Sequence, residues 1–232
     1  MVVVAGISLR RRLGLERSLA EATVRAVAQL VLAGWALTLL LDGDTPMVWA
    51  WAWVVAMVPA AGDAARRREP RLAGLGWMTA VGASLGLGVS LATVFALGIL
   101  PLEARVLVPV SGMVVGNSLK VVVVAATRLV DGLRDRVGEV EALLALGFRP
   151  AWAVRDIASD ALRLALLPQI ETTRSVGVVF LPGALTGLIL AGVDPIQAAL
   201  VQAALLFLIL GTAAVTGLVV VFFGVRVFLT DD

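Results

Sequence analysis

An all-α polytopic membrane protein is what this sequence predicts, and three observations carry that reading. The chain is 60% hydrophobic and only 16% charged, with a mean hydropathy of +0.99. Its apolar runs are long and lack the period-2 alternation of a membrane barrel. Its arginines fall into alternate connecting segments. Soluble domains carry about 25% charged residues, so a chain this apolar cannot cover itself with polar surface and must use lipid as its main solvent. In hydrocarbon every backbone N–H and C=O needs an internal partner, which leaves helices as the spanning element. At about 20–30 residues per span and loop, 232 residues give about six full transmembrane helices plus an N-terminal partial helix, seven in a complete chain. The whole of 1–232 reads as one transmembrane domain, with cytoplasmic amphipathic helices at 128–173.

In order, MVVVAGISL (1–9) is too short to cross about 30 Å at about 1.5 Å per residue, and Arg10–Arg12 follow it. A signal peptide places its positive charge first. The segment is therefore either a tail or the last third of a span that begins upstream. Span two is expected over Thr23–Leu41, then a turn at Asp42, Gly43, Asp44 and Pro46. Span three covers Met47–Gly62, with Trp49, Trp51 and Trp53 as interfacial anchors, and a basic loop Asp63–Arg71 follows. Span four (Leu72–Leu100) carries Gly82, Gly86 and Gly88 for close helix packing. Span five is Val106–Thr127, span six Arg174–Val193, and span seven Ile196–Phe223. Arg10–Arg12, Arg66–Arg71, Arg128–Arg174 and Arg226 should then share one side. The other side holds Asp42, Asp44, Glu103, Arg105 and Asp194. The positive-inside rule puts the N-terminus outside and the C-terminus in the cytoplasm of a cell (plasma or inner) membrane. Lys120 is the only lysine among arginines, a bias that suggests GC-rich bacterial coding.

The composition also excludes chemistry. With no Cys, His or Tyr there is no thiolate or imidazole metal site and no Ser-His hydrolase. Ser118 and Lys120, two apart on a helix, point in different directions, so an enzyme has little support. No stretch reads GxxxxGK[ST], so ATP is not bound by a Walker A loop of this chain, and any energy comes from a separate subunit. No bound cofactor is expected. The expected surroundings are membrane lipid and not nucleic acid.

Two amphipathic runs occupy 128–173. Leu129, Leu133, Val137, Val140 and Leu144 form one stripe, ended by Gly147 and Pro150. Val154, Ile157, Ala161 and Leu164 form a second, which Pro168 should end. Periodicity alone allows either a connector lying on the membrane surface or a coupling element docked on a partner.

Polar side chains within the bilayer cost about 2.5–3.5 kcal/mol each on insertion scales, so they usually face a partner or a water path. Asn117 and Lys120 share a face of span five, and Glu171 and Arg174 share the same spacing at the entrance of span six. They are either structural pairs or, together with Gln169, the lining of a transport path. Any ion site must use oxygen ligands, which suit hard cations, and Glu171 is the first choice for a metal-entry ligand. Pro182 and Gly183 predict a kink in span six, and Gly183 with Gly187 forms a small-xxx-small packing pair.

EALLALGF (141–148) resembles the first half of the coupling motif of importer-type ABC permeases, although the following Leu167–Pro168 lies later than that motif places it. GMVVGNSLK (112–120), LGFRPAWAVRD (146–156) and ALRLALLPQIETTRSVGVVFLPGALTGLILAGVDP (161–195) together resemble the FetB (YbbM) permeases, from Arg10 to the closing span. Lys120 departs from that family's GN stretch. The resemblance implies an ABC transporter permease that exports iron or a related metal, as a homodimer on a FetA-like ATPase. Residues 139–168 would then make the ATPase contact, with Glu139, Glu141, Gly147, Arg149 and Pro150 as the coupling candidates. The competing readings are an exporter of an organic solute such as a sugar nucleotide, and an ATP-independent channel or assembly factor.

Overall fold

The computed structural model describes residues 16–40, 46–178 and 180–230, and these are helical apart from short connections. They fall into two bodies, Met1–Trp49 and Ala50–Asp232. The first holds α1 (Glu16–Leu40), whose apolar stretch is Thr23–Leu39. The residue 1–9 segment, Arg10–Arg12 and the turn residues Asp42, Gly43 and Asp44 lie outside the described residues.

The second body contains α2 (Met47–Arg68, from Ala50 onward), α3 (Leu75–Ala96), α4 (Ala104–Asp135), α5 (Val137–Ala145), α6 (Pro150–Ala153), α7 (Arg155–Ser175), α8 (Gly183–Leu190) and α9 (Pro195–Thr230). Among the described residues, α2, α3, α4 and α9 are long and apolar enough to cross a membrane. They correspond to spans three, four, five and seven. The protein is thus an all-helical, multi-pass membrane protein. Three of these helices outrun the expected spans; α9 ends at Thr230 rather than Phe223. The basic loop is shorter than its sequence suggests, because α2 continues to Arg68 and Asp63 accepts bonds from Arg66 and Arg67 at 2.9 and 2.7 Å. α4 reaches Asp135, because Leu129, Val130 and Leu133 stay buried past the apolar span.

Glycine sets the closest approaches. A Cβ on Gly62 would meet the Gly76 carbonyl oxygen at 2.5 Å, which joins α2 to α3. One on Gly82 would lie 2.9 Å from Thr216 Cα, and one on Gly86 2.8 Å from Thr212 Cγ2. The two small-residue rows therefore mesh as α3 runs antiparallel to α9. Ser90 and Thr212 add a buried hydroxyl pair at 2.6 Å. A Cβ on Gly88, read with the other two, would meet none of the described residues within 4 Å. Gly86→Val is accordingly expected to cost about 1–3 kcal/mol by overpacking, seen as a lowered thermal midpoint in detergent, while Gly88→Ala leaves that midpoint unchanged.

α4 lies parallel to α9, with Val121 beside Gly217 and Leu129 beside Gly224. α7 runs antiparallel to α4: Ile157 fills the notch at Gly132, and Ala165 packs with Val121, Ala125, Ala213 and Val221. This arrangement corrects span six. It is not one helix over Arg174–Val193. α7 begins at Arg155, runs through Pro168 and stops at Ser175; the chain is then irregular until α8 begins at Gly183. Pro168 does not end the helix because α7 is packed on both α4 and α9, and its buried row is Val154, Ile157, Ala161 and Ala165. Leu164, assigned to that row, is 43% exposed. Packing overrides the local preference of proline.

The expected kink at Pro182 and Gly183 is a complete break. Gly177 adopts φ +84, its N–H bonds the Phe180 carbonyl at 3.0 Å, and Pro182 and Gly183 cap and start α8. Among the described residues, a Cβ on Gly183 or Gly187 meets nothing within 4 Å, so the pair packs none of the described helices. The first amphipathic stripe also divides between two helices, because Arg136 (φ −115, ψ 24) separates α4 from α5. Leu129, Leu133 and Val140 remain in one core, whereas Val137 and Leu144 are exposed.

Candidate functional site

Where α7 breaks, the body holds a cavity of about 340 Å³. α4 supplies Asn117 and Lys120, α7 supplies Pro168, Gln169 and Thr172, and α9 supplies Gln202; the rest of the wall is apolar. Asn117 is oriented by its own helix, since Nδ2 donates to the Met113 carbonyl at 2.8 Å while Oδ1 accepts from Lys120 Nζ at 3.3 Å. Thr172 donates to the Pro168 carbonyl at 2.7 Å. Gln202 is only 3% exposed, and its Oε1 accepts the Leu185 N–H at 3.1 Å. That bond satisfies one of the donors at the start of α8 that have no partner within the helix. A side chain from α9 thereby holds the broken end in place. Discontinuous helices with a polar cavity at the break are how many transporters build a binding site at membrane depth.

A second feature is the elbow between α5 and α7. Gly147 takes φ +85, its N–H bonds Leu144 O at 2.9 Å and the Phe148 N–H bonds Leu143 O at 3.1 Å. This pair of bonds is the glycine-terminated helix stop expected from the sequence. Arg149 and Pro150 then open α6. Phe148 and Trp152 stack at 4.4 Å and, with Leu146, leave an exposed apolar surface. Glu139 is gripped by Arg136 through two 2.7 Å bonds, which hold its carboxyl below the usual range. Both line a cleft of about 180 Å³ with Trp152, Arg155 and Asp156. Glu141 and Arg149 are exposed on the same elbow.

The basic end is tied together by a network that sequence reading missed. Glu69, 4% exposed, accepts from Arg71 Nε at 2.8 Å and NH2 at 2.7 Å and from the Thr127 hydroxyl at 2.7 Å. Arg71 also reaches Asp131 at 2.7 Å. The Arg71 guanidinium, helped by Thr127, lowers the Glu69 carboxyl from 4.5 to about 2. The folded value lies below the unfolded one, so this stabilisation is complete above about 4.5 and is lost as pH falls towards about 2, an effect of about 3 kcal/mol. In detergent, the thermal midpoint of the wild type is therefore expected to fall more steeply between those pH values than that of Glu69→Gln. Equal slopes would contradict the assignment.

The cavity thus brings together Asn117, Lys120 and Gln169 of the transport-path candidates, and adds Thr172 and Gln202. Glu171 and Arg174 lie outside it and pair with each other at 2.9 Å, with side chains 59% and 73% exposed. Arg174 is also not at the basic end, because α7 carries it to the opposite end of that helix from Arg155. Arg66–Arg71, Arg134 and the end of α9 do share one end, where Arg71, Arg134, Val227 and Phe228 line a common cleft. Among the described residues, no three Asp or Glu side chains cluster closely enough to hold a metal ion. Gln202 did leave a trace in the sequence: with Gln197 it is one of two amides in the long apolar run of span seven, and the one further from its end.

With this geometry in hand, comparison with known proteins places the chain. Residues 1–229 match the model of the uncharacterised protein family UPF0014. The chain belongs to this family. UPF0014 relatives include the membrane protein YjkA of Bacillus subtilis, 32% identical over 93% of this chain and 86% of its own length. STAR2 of rice is 32% identical over 94% and 76%. The protein named "Probable iron export permease protein FetB" of Escherichia coli is 27% identical over 98% and 88%. The resemblance to FetB seen in the sequence is therefore a family relationship within UPF0014. No solved structure matches the chain at a significant level.

Proposed function

We propose that the chain is the transmembrane permease subunit of an ABC transporter, working with a separate ATPase to export iron or a related metal. The observation that carries this reading is the continuity of α7. A single helix of 21 residues leaves the elbow at Arg155 and reaches the cavity wall at Pro168, Gln169 and Thr172, just before the break. A helix of that length spans about 30 Å, so a tilt applied at the elbow moves one wall of the cavity. The exposed Leu146, Phe148 and Trp152 give a partner an apolar surface to grip. On this reading the elbow, the arginine-rich end and the C-terminus face the cytoplasm of a cell membrane, and two permease copies sit on two ATPase subunits. The name of the Escherichia coli relative supports the choice of cargo.

The test uses inside-out vesicles carrying the chain and its ATPase. Iron is expected to accumulate inside them only when both subunits and ATP are present. Accumulation without the ATPase would replace this reading with that of a channel.

One observation favours the second reading, export of an organic solute. Among the described residues, the cavity wall carries a lysine and three amides but no carboxylate.

A further inference from the structure

Of the acceptor atoms on the cavity side chains, two are already engaged. Asn117 Oδ1 accepts from Lys120, and Gln202 Oε1 accepts from the Leu185 N–H. The Thr172 hydroxyl spends its hydrogen on the Pro168 carbonyl. What remains is mostly donor. An ammonium has three N–H groups, and Lys120 uses one on Asn117. The Nε2 hydrogens of Gln202 and the amide of Gln169 are the other groups left on the wall. Among the described residues, no carboxylate lines the cavity and Lys120 forms no ion pair. Glu171, which lies between the lining residues Gln169 and Thr172 in sequence, is bound to Arg174. A site with a fixed positive charge, free donors and few free acceptors repels a bare cation and attracts an anion. Asn117 is a positioning residue in this arrangement: its amide is tied to Met113 and presents its oxygen to Lys120.

We propose that this cavity binds a small anion through its carboxylate or phosphate group, with Lys120 Nζ as the charge partner and Gln169 and Gln202 as hydrogen-bond donors. At about 340 Å³ it suits a compact ligand at the small end of binding pockets. The inference rests on the permease reading only for the purpose of binding. A metal cargo would then enter as an anionic complex.

The test is calorimetric titration of the full chain in nanodiscs without any ATPase, so its outcome is independent of whether transport is observed. The probes are citrate, inorganic phosphate and manganese ion, against wild type, Lys120→Met and Lys120→Arg. Thermal midpoints confirm that each variant is folded. Citrate or phosphate should bind the wild type, bind Lys120→Met about tenfold or more weakly, and bind Lys120→Arg within a few-fold of wild type; manganese alone should not bind wild type. Nanodiscs of phosphatidylcholine alone and with phosphatidylglycerol separate the two sources of such a group. A soluble anion binds equally in both, whereas a lipid phosphate competes in the second, and only when Lys120 is present. The proposal is overturned if neither anion binds the wild type, if Lys120→Met binds them unchanged, or if manganese binds the wild type and binds Lys120→Met more tightly.

Discussion

Gly147→Pro is expected to abolish copurification with the partner ATPase and to remove the stimulation of its ATP turnover by the permease. The backbone at this position has φ +85, whereas proline is held near −65°. Proline also deletes the N–H that bonds Leu144 O at 2.9 Å. The helix stop therefore cannot form, and the exposed Leu146, Phe148 and Trp152 lose their arrangement on the elbow. Gly147→Asn keeps the N–H and tolerates the left-handed conformation, so it should retain most of the coupling. Gly138→Ala is a control, since a Cβ there meets nothing within 4 Å. Unchanged copurification and turnover in Gly147→Pro would remove the elbow from the ATPase contact.

Gln202→Leu is expected to stop transport while leaving ATPase binding intact. Its Oε1 is the acceptor for the Leu185 N–H in a buried setting, and leaving such a donor unpaired costs about 1–3 kcal/mol. The start of α8 would shift to find another partner and deform the cavity wall. Gln202→Glu preserves the acceptor and so should hold α8, although it places an anion in the cavity. Transport assays in vesicles, with copurification alongside, separate a lost cavity from a lost partner.

Much of this architecture was legible in the sequence. Four spans follow from apolar run length alone, and Gly82 and Gly86 announced a close contact that the structure assigns to Thr216 and Thr212. Gly147 announced its helix stop because a glycine followed by proline has a local physical cause. Span six was misplaced for the opposite reason. Between Arg155 and Ser175 the residues look like a surface helix, with Arg155, Asp156, Asp160 and Arg163 exposed, yet the narrow row of Val154, Ile157, Ala161 and Ala165 is buried against α4 and α9. Tertiary packing carries the helix through Pro168, and no local preference reports that. The break after Ser175 depends on Gly177 at positive φ, a signal overshadowed by the more conspicuous Pro182–Gly183 pair. In the cavity, Asn117, Lys120 and Gln169 were visible as polar residues in apolar surroundings. Gln202 was not singled out because its role is to cap a helix distant in sequence. Glu69, Arg71 and Asp131 could not be joined without knowing that the α2–α3 connection meets α4.

In the proposed mechanism α7 carries movement from the elbow to the cavity. The chain has no cysteine of its own, so single cysteines can be placed at Trp152 on the elbow and at Thr172 on the cavity wall, and labelled with a water-soluble thiol reagent in membranes. With the ATPase present, adding ATP should change the labelling rate several-fold at both positions. A rate that changes at Trp152→Cys while Thr172→Cys stays constant would show that the elbow moves without the cavity and would contradict the claim.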